Sequence, residues 1–218
     1  MTEDKKTIDT FVKSLTNISW NHCENPWKIE NHKQQENLKK FLTKYGESAK
    51  YILIGEAPGR KGCVKSGVPF CDCNTLQHLL EEQESKENNI KETSAQRIYK
   101  TFGNNFIAWN VFPIQPCKEN GTNRTPKKEE LNKGAKYLKD FLDIFLTNGK
   151  SEKKIIILFG SKAQKRETEI RSICGNNVEI IKVIHPSPLA DRYWKNDSNK
   201  EWKDYVEAKI KLEKQKFN

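Results

Sequence analysis

Tyr51-Ile52-Leu53-Ile54-Gly55-Glu56-Ala57-Pro58-Gly59 is the stretch that decides the fold. Four β-prone, apolar residues in a row have the length of a strand, and the glycine- and proline-containing turn behind them ends it. The pattern returns three times, at Phe106 to Val111, Ile155 to Phe159 and Val178 to Ile184. Between these runs the apolar residues take helical spacing: Leu76, Leu79 and Leu80; Ile98 to Phe102; Leu131 to Phe145, with Tyr137, Leu138, Phe141 and Leu142; and Ala163 to Ile173. Strand and helix alternating four times predict an α/β fold with a central, mainly parallel four-stranded sheet covered by helices on both faces. Ligands of such sheets sit at the carboxyl ends of the strands, so the residues just after each run are the candidates for function.

Outside this region, residues 1–46 mix Phe11, Leu15, Ile18, Trp20, Trp27, Leu38, Phe41 and Leu42 with dense charge, the look of amphipathic helices interrupted at Asn25-Pro26. Residues 195–218 read as a charged C-terminal helix, from about Trp202 to Phe217, with a solvated or docking face. No linker-like tract or internal repeat divides the 218 residues, so a single domain over 1–218 is expected, with the motif-bearing core at 51–189.

Lys+Arg 39 against Asp+Glu 29 gives a net charge of +10. That balance suits a polyanionic partner, although solubility alone also accounts for it. No stretch approaches the ~20 apolar residues of a membrane span, and Met1 to Lys6 leads into no apolar signal region, so the expected location is the cytosol, or the nucleus where there is one. Cys23, Cys63, Cys71, Cys73, Cys117 and Cys174 form no C-x-x-C pair, and Cys71-x-Cys73 is poorly spaced for zinc. Reduced thiols, several of them buried, are expected.

Each strand end then has a reading of its own. Gly55-Glu56-Ala57-Pro58-Gly59-Arg60-Lys61-Gly62, running on to Ser66-Gly67-Val68-Pro69-Phe70, lets backbone approach a ligand and places a carboxylate and an aromatic beside it. Its spacing fits neither a phosphate-binding P-loop nor a dinucleotide turn. Asn110 closes the second run, and its amide offers an acceptor and two donors that match a pyrimidine edge, although asparagine at a strand end is commonly a turn cap. Ser161, after Phe159-Gly160, reads as the cap of the next helix. His185 closes the fourth run, in Ile184-His185-Pro186-Ser187-Pro188-Leu189-Ala190, presented by a proline-stiffened loop. The Lys-rich segment Lys118 to Lys136, with Asn120, Asn123 and Arg124, reads as a solvated loop, contact with a polyanionic partner being the alternative.

Taken together, G-E-A-P-G with G-V-P-F, W-N-V-F-P, F-G-S-K-A and H-P-S-P-L-A, in that order and each behind a strand, resemble the uracil-DNA glycosylase superfamily, over about Tyr51 to Leu189. The resemblance implies a three-layer α/β/α sandwich acting as a monomer on DNA that contains a deaminated base, which it flips out and cuts at the N-glycosidic bond without a metal. By position, Phe70 would stack on the base, Asn110 would read its pairing edge, and His185 would stabilise negative charge on the departing pyrimidine. Glu56 would orient the attacking water or face the sugar cation. Ala57 would line the base pocket where other branches carry Asp or Asn to handle the water. Pro58, Gly59, Ser187 and Pro188 would pinch the DNA backbone, and Leu189 would wedge into the vacated stack.

The G-E-x-P-G branch, which this chain is most like, often holds an iron–sulfur cluster on four cysteines. Here only Cys23 precedes the first strand, so no cofactor is expected. A damaged-base-binding module with weak or lost hydrolysis, and a different enzyme acting on a nucleotide or other phosphate-bearing ligand, are the alternatives.

Overall fold

A computed structural model of the chain describes residues 6–81, 91–146, 154–175, 178–195 and 201–215. The elements follow in the order α1 Ile8–Leu15, β1 Cys23–Glu24, α2 His32–Tyr45, β2 Tyr51–Gly55, α3 Cys63–Ser66, α4 Cys73–Leu80, α5 Thr93–Phe102, β3 Phe106–Asn110, β4 Gln115–Pro116, α6 Lys128–Leu146, β5 Ile155–Phe159, α7 Gly160–Gln164, α8 Glu167–Cys174 and β6 Glu179–Val183. A 3-10 helix, Pro188–Tyr193, and α9 Trp202–Gln215 complete them.

The four apolar runs form one sheet in the order β3-β2-β5-β6, and every neighbouring pair is parallel. The register Tyr51↔Phe106 and Tyr51↔Ile155 puts Tyr51, Leu53, Phe106, Ala108, Ile155, Ile157 and Phe159 on one face, because side chains alternate along a strand. Helices α2, α5 and α9 cover that face: Phe41 and Phe102 pack on Phe106, and Trp202 lies 5.7 Å from Phe159, ring to ring. On the opposite face Trp109 takes an edge-on contact from Phe11 of α1 at 4.8 Å and stacks on Phe141 of α6 at 5.5 Å. These contacts define the three layers. Buried on both sides, the strands need the near-continuous apolar composition that made them legible.

Two expectations change here. Helix α9 is a core element: Trp202, Val206 and Ile210 are buried, so its dense charge occupies only the outer face. Phe217 lies outside the described residues. The segment Lys118 to Lys136 is not a solvated loop throughout. Residues Gln115–Pro116 pair antiparallel with Cys23–Glu24, a bridge joins Cys117 to Asn123, and α6 begins at Lys128. Arg124 and Glu130 form a two-pronged ion pair, at 2.6 and 2.8 Å, that ties this hairpin to the start of α6.

Candidate active site

In the parallel register Gly55 stands beside Asn110, and both lie at carboxyl ends of central strands. A β-carbon on residue 55 would come within 2.4 Å of the Phe70 ring and 2.6 Å of Asn110 Oδ1, so glycine is what lets the ring and the amide converge. The Asn110 side chain is 4% exposed, yet among the described residues its amide accepts and donates no hydrogen bond, and it faces a cleft. Buried amides are normally satisfied, so an unengaged one on a cavity wall is poised for a ligand.

Phe70 reaches this point through a loop fastened from below. The Trp27 indole N–H donates to Gly67 O (2.8 Å), Asn37 Nδ2 donates to Ser66 O (2.8 Å), and the Ser66 hydroxyl donates to Cys71 O (2.8 Å). Gly67, at φ +79°, turns the chain against α2, where a side chain would strike the backbone of Gln34 at 2.3 Å. Phe70 itself has φ +60°, a left-handed conformation that costs a non-glycine residue about 1–2 kcal/mol. The surrounding hydrogen bonds hold it there, with the ring edge-on to Phe159 at 5.4 Å.

His185 stands two residues beyond the end of β6, 6.2 Å ring to ring from Phe70. Its Nδ1 accepts the backbone N–H of Ser187 (3.2 Å), which leaves the proton of the neutral imidazole on Nε2. Burial pushes its pKa down from 6.5 to about 4, so the ring is a neutral donor at physiological pH. The loop behind it is clamped from α5. Arg97 donates to Pro186 O (2.9 Å), holds both oxygens of Asp191 (2.7 and 3.0 Å), and lies over the Trp194 ring at 5.4 Å.

These groups share a cleft of about 900 Å³ with Glu56, Ala57, Pro58, Gly59, Ser187 and Leu189. Of the residues singled out from sequence, Pro188 alone does not line it; it opens the exposed side of the 3-10 helix. Burial raises the Glu56 carboxyl, and Lys162 partly offsets that. Leu189 is 87% exposed and Tyr193 62% exposed at the rim, a pair of large side chains held in solvent.

Ser161 is not a cap. Gly160, at φ +77°, lets α7 start directly off β5, so Ser161 falls inside the helix, makes no capping bond, and faces the cleft. The sequence reading missed Glu92, Ser94 and Tyr193 as lining residues. Asn123 and Arg124, singled out in the basic segment, also line the cleft, and Glu92 and Ser94 lie at the start of a helix between motifs.

The donor set does not suit an iron–sulfur cluster. All six cysteines are free, and no group of three or more His, Cys, Asp or Glu among the described residues is placed to hold a metal. Nor does any described helix have the length and apolarity to cross a membrane.

A strand-end pocket on a three-layer sheet, with an aromatic, an amide and a neutral imidazole converging on it, has the concave form of a small-ligand site with a few convergent polar groups. Residues 43–209 match the family described as the uracil DNA glycosylase superfamily, and the chain belongs to it. Among solved structures it is similar to wild-type SMUG2 from Pedobacter heparinus, with a TM-score of 0.64 and 19% identity, covering 95% of this chain and 97% of that one. The wild-type UNG structure from Nitratifractor salsuginis matches at TM-score 0.41 and 11% identity, over 85% of this chain and 90% of that one. No curated protein sequence matches the chain.

Proposed function

We propose that this protein is a DNA glycosylase that hydrolyses the N-glycosidic bond of uracil or a related deaminated base flipped out of DNA. The observation that carries the reading is the convergence on one cleft of the Phe70 ring, the unengaged Asn110 amide and a histidine whose free proton sits on Nε2. Membership of the superfamily supports it. In the proposed reaction the flipped base stacks on Phe70, and Asn110 matches its carbonyl and imide edge with one acceptor and two donors. As the bond between the sugar C1′ and the base nitrogen breaks, the electron pair moves onto the base, and His185 Nε2–H donates to the oxygen that gains charge. A preorganised neutral donor in a buried setting suits that task, because its hydrogen bond strengthens only as the charge develops. Glu56, at the end of β2, faces the positive charge that grows on the sugar. Pro58, Gly59 and Ser187 meet the DNA backbone, and Leu189 fills the gap left in the stack.

Ala57 favours a second reading, a module that binds the damaged base without cutting it, since a methyl group cannot direct water. Release of free base from oligonucleotides containing uracil, hypoxanthine or xanthine, single- and double-stranded, separates the two. Release that is lost in His185→Ala supports the glycosylase, and binding without release supports the module.

A further inference from the structure

Among the described residues, Glu92 is the one acidic residue of the cleft outside the motifs. It occupies the N-cap position of α5, where the shorter side chains of Ser, Thr, Asp or Asn ordinarily accept a helix amide proton. It makes no capping bond. Its side chain is turned away from the helix onto the glycine turn of the first motif: Oε2 lies 1.8 Å from where a β-carbon on Gly62 would be, and Oε1 lies 3.1 Å from that of Gly59. So Gly62 has no side chain, and the space is filled by a carboxylate arriving from a different element. No hydrogen bond engages that carboxylate among the described residues, whereas the backbone N–H of Glu92 is fixed by donating to Asp72 Oδ2 at 2.7 Å. Asp72 is fully buried, and its other oxygen accepts Thr75 N–H at 2.7 Å, so the residue that seats Glu92 is itself immobilised.

We propose that Glu92 is a catalytic general base, supplying from α5 the water-directing function that Ala57 lacks. The inference rests on the glycosylase reading of the cleft. In the step it describes, the carboxylate of Glu92 takes a proton from water. The water oxygen bonds to C1′, the bond from C1′ to the base nitrogen breaks, and its electron pair leaves with the base toward His185. Glu56, at the strand end, then faces the sugar cation only. The groups around Glu92 are Asp72, Lys61 and the thiols of Cys63 and Cys71, and Glu56 and His185 share the cleft. Burial, reinforced by Asp72 and opposed by Lys61, raises the Glu92 carboxyl to about 6, which places its basicity close to the working pH.

The test is single-turnover base release from the best oligonucleotide substrate, between pH 4.5 and 8.5, for the wild type, Glu92→Gln and Glu92→Ala, with thermal unfolding and oligonucleotide binding measured alongside. The wild-type rate is expected to rise with pH through a midpoint near 6. Glu92→Gln should cut the plateau by about 100-fold or more and abolish that midpoint, with binding and unfolding temperature retained. Sodium formate should restore at least about tenfold of the rate of Glu92→Ala, because the truncated side chain opens a space for a small carboxylate on the same glycine turn. A wild-type rate and midpoint in Glu92→Gln would overturn the assignment and leave the glycosylase reading standing. Likewise, a loss in both variants that formate does not relieve, accompanied by lowered unfolding temperature, would reduce Glu92 to a structural residue. A wild type that releases no base would overturn both readings together.

Discussion

His185 ties the stability of the protein to pH in a way that can be calculated. In the unfolded chain the imidazole titrates near 6.5, and in the folded protein burial holds it at about 4. The folded state therefore binds fewer protons over that interval, and stability falls as pH drops below 6.5, levelling off below about 4. The full difference is about 3 kcal/mol, and about 2 kcal/mol of it is already lost at pH 5. Raised carboxyls such as Glu56 and Glu92 act in the opposite sense, strengthening the folded state as pH falls. The imidazole contribution is isolated by comparison with His185→Gln, which keeps an amide of similar reach and cannot titrate. Urea unfolding of both proteins at steps from pH 8 to 4 should show the wild type losing stability relative to the variant by that amount, with the difference centred between pH 6.5 and 4. Parallel curves, or a resonance of His185 itself, identified by its absence from the His185→Gln spectrum, that titrates near 6.5 in the folded protein, would refute the claim that the ring is held neutral.

Gly55→Ala should fold, since φ at this strand position is ordinary, but should displace Phe70 and Asn110; base release is expected to fall by about 100-fold, with unfolding shifted by about 1–3 kcal/mol, read by single-turnover kinetics and thermal melting. Arg97→Ala removes the clamp on the His185 loop and should lower kcat/KM by about tenfold while costing only about 1–2 kcal/mol of stability; charge reversal at both Arg97 and Asp191 should recover part of the loss, and no recovery would argue against the clamp. Lys154 is 4% exposed and donates to the carbonyls of Gly46, Glu47 and Ala49 beyond the end of α2. Lys154→Met should destabilise by about 3 kcal/mol in urea titrations with kcat unchanged.

Much of the architecture was written in the chain. Ile155–Phe159 was read to the residue, and the other three strands to within one residue at either end, because each is short, apolar on both faces and bounded by turn formers. Asn110 and His185 stood out because strand ends of a parallel sheet are where ligands meet the protein, and Phe70 because it closes the loop that follows the first strand; the structure brings all three to one cleft. What escaped depends on distant contacts. The pairing of Cys23 with Pro116 joins two-residue strands with no periodicity to detect. Glu92 is one acid within a charged stretch, and only its rotation onto Gly62 distinguishes it. The role of Arg97 depends on a loop that lies beyond four further strands. The error at Ser161 arose from a helix that begins one residue earlier than usual, off a left-handed glycine, and the error at α9 from surface charge masking the stripe of Trp202, Val206 and Ile210.

The all-parallel order of the sheet also governs how the cleft comes into being. No strand of the sheet meets its neighbour through a hairpin: Tyr51 pairs with Phe106 on one side and Ile155 on the other, and Ile155 pairs with Glu179. Each pairing closes a long loop whose entropy is lost before any contact compensates for it, so sheets of this kind form slowly and late. Gly55, Asn110 and His185 are neighbours only after all those closures have occurred. Partly folded chains therefore have apolar strands exposed but no assembled pocket, and base release should lag behind the recovery of secondary structure during refolding.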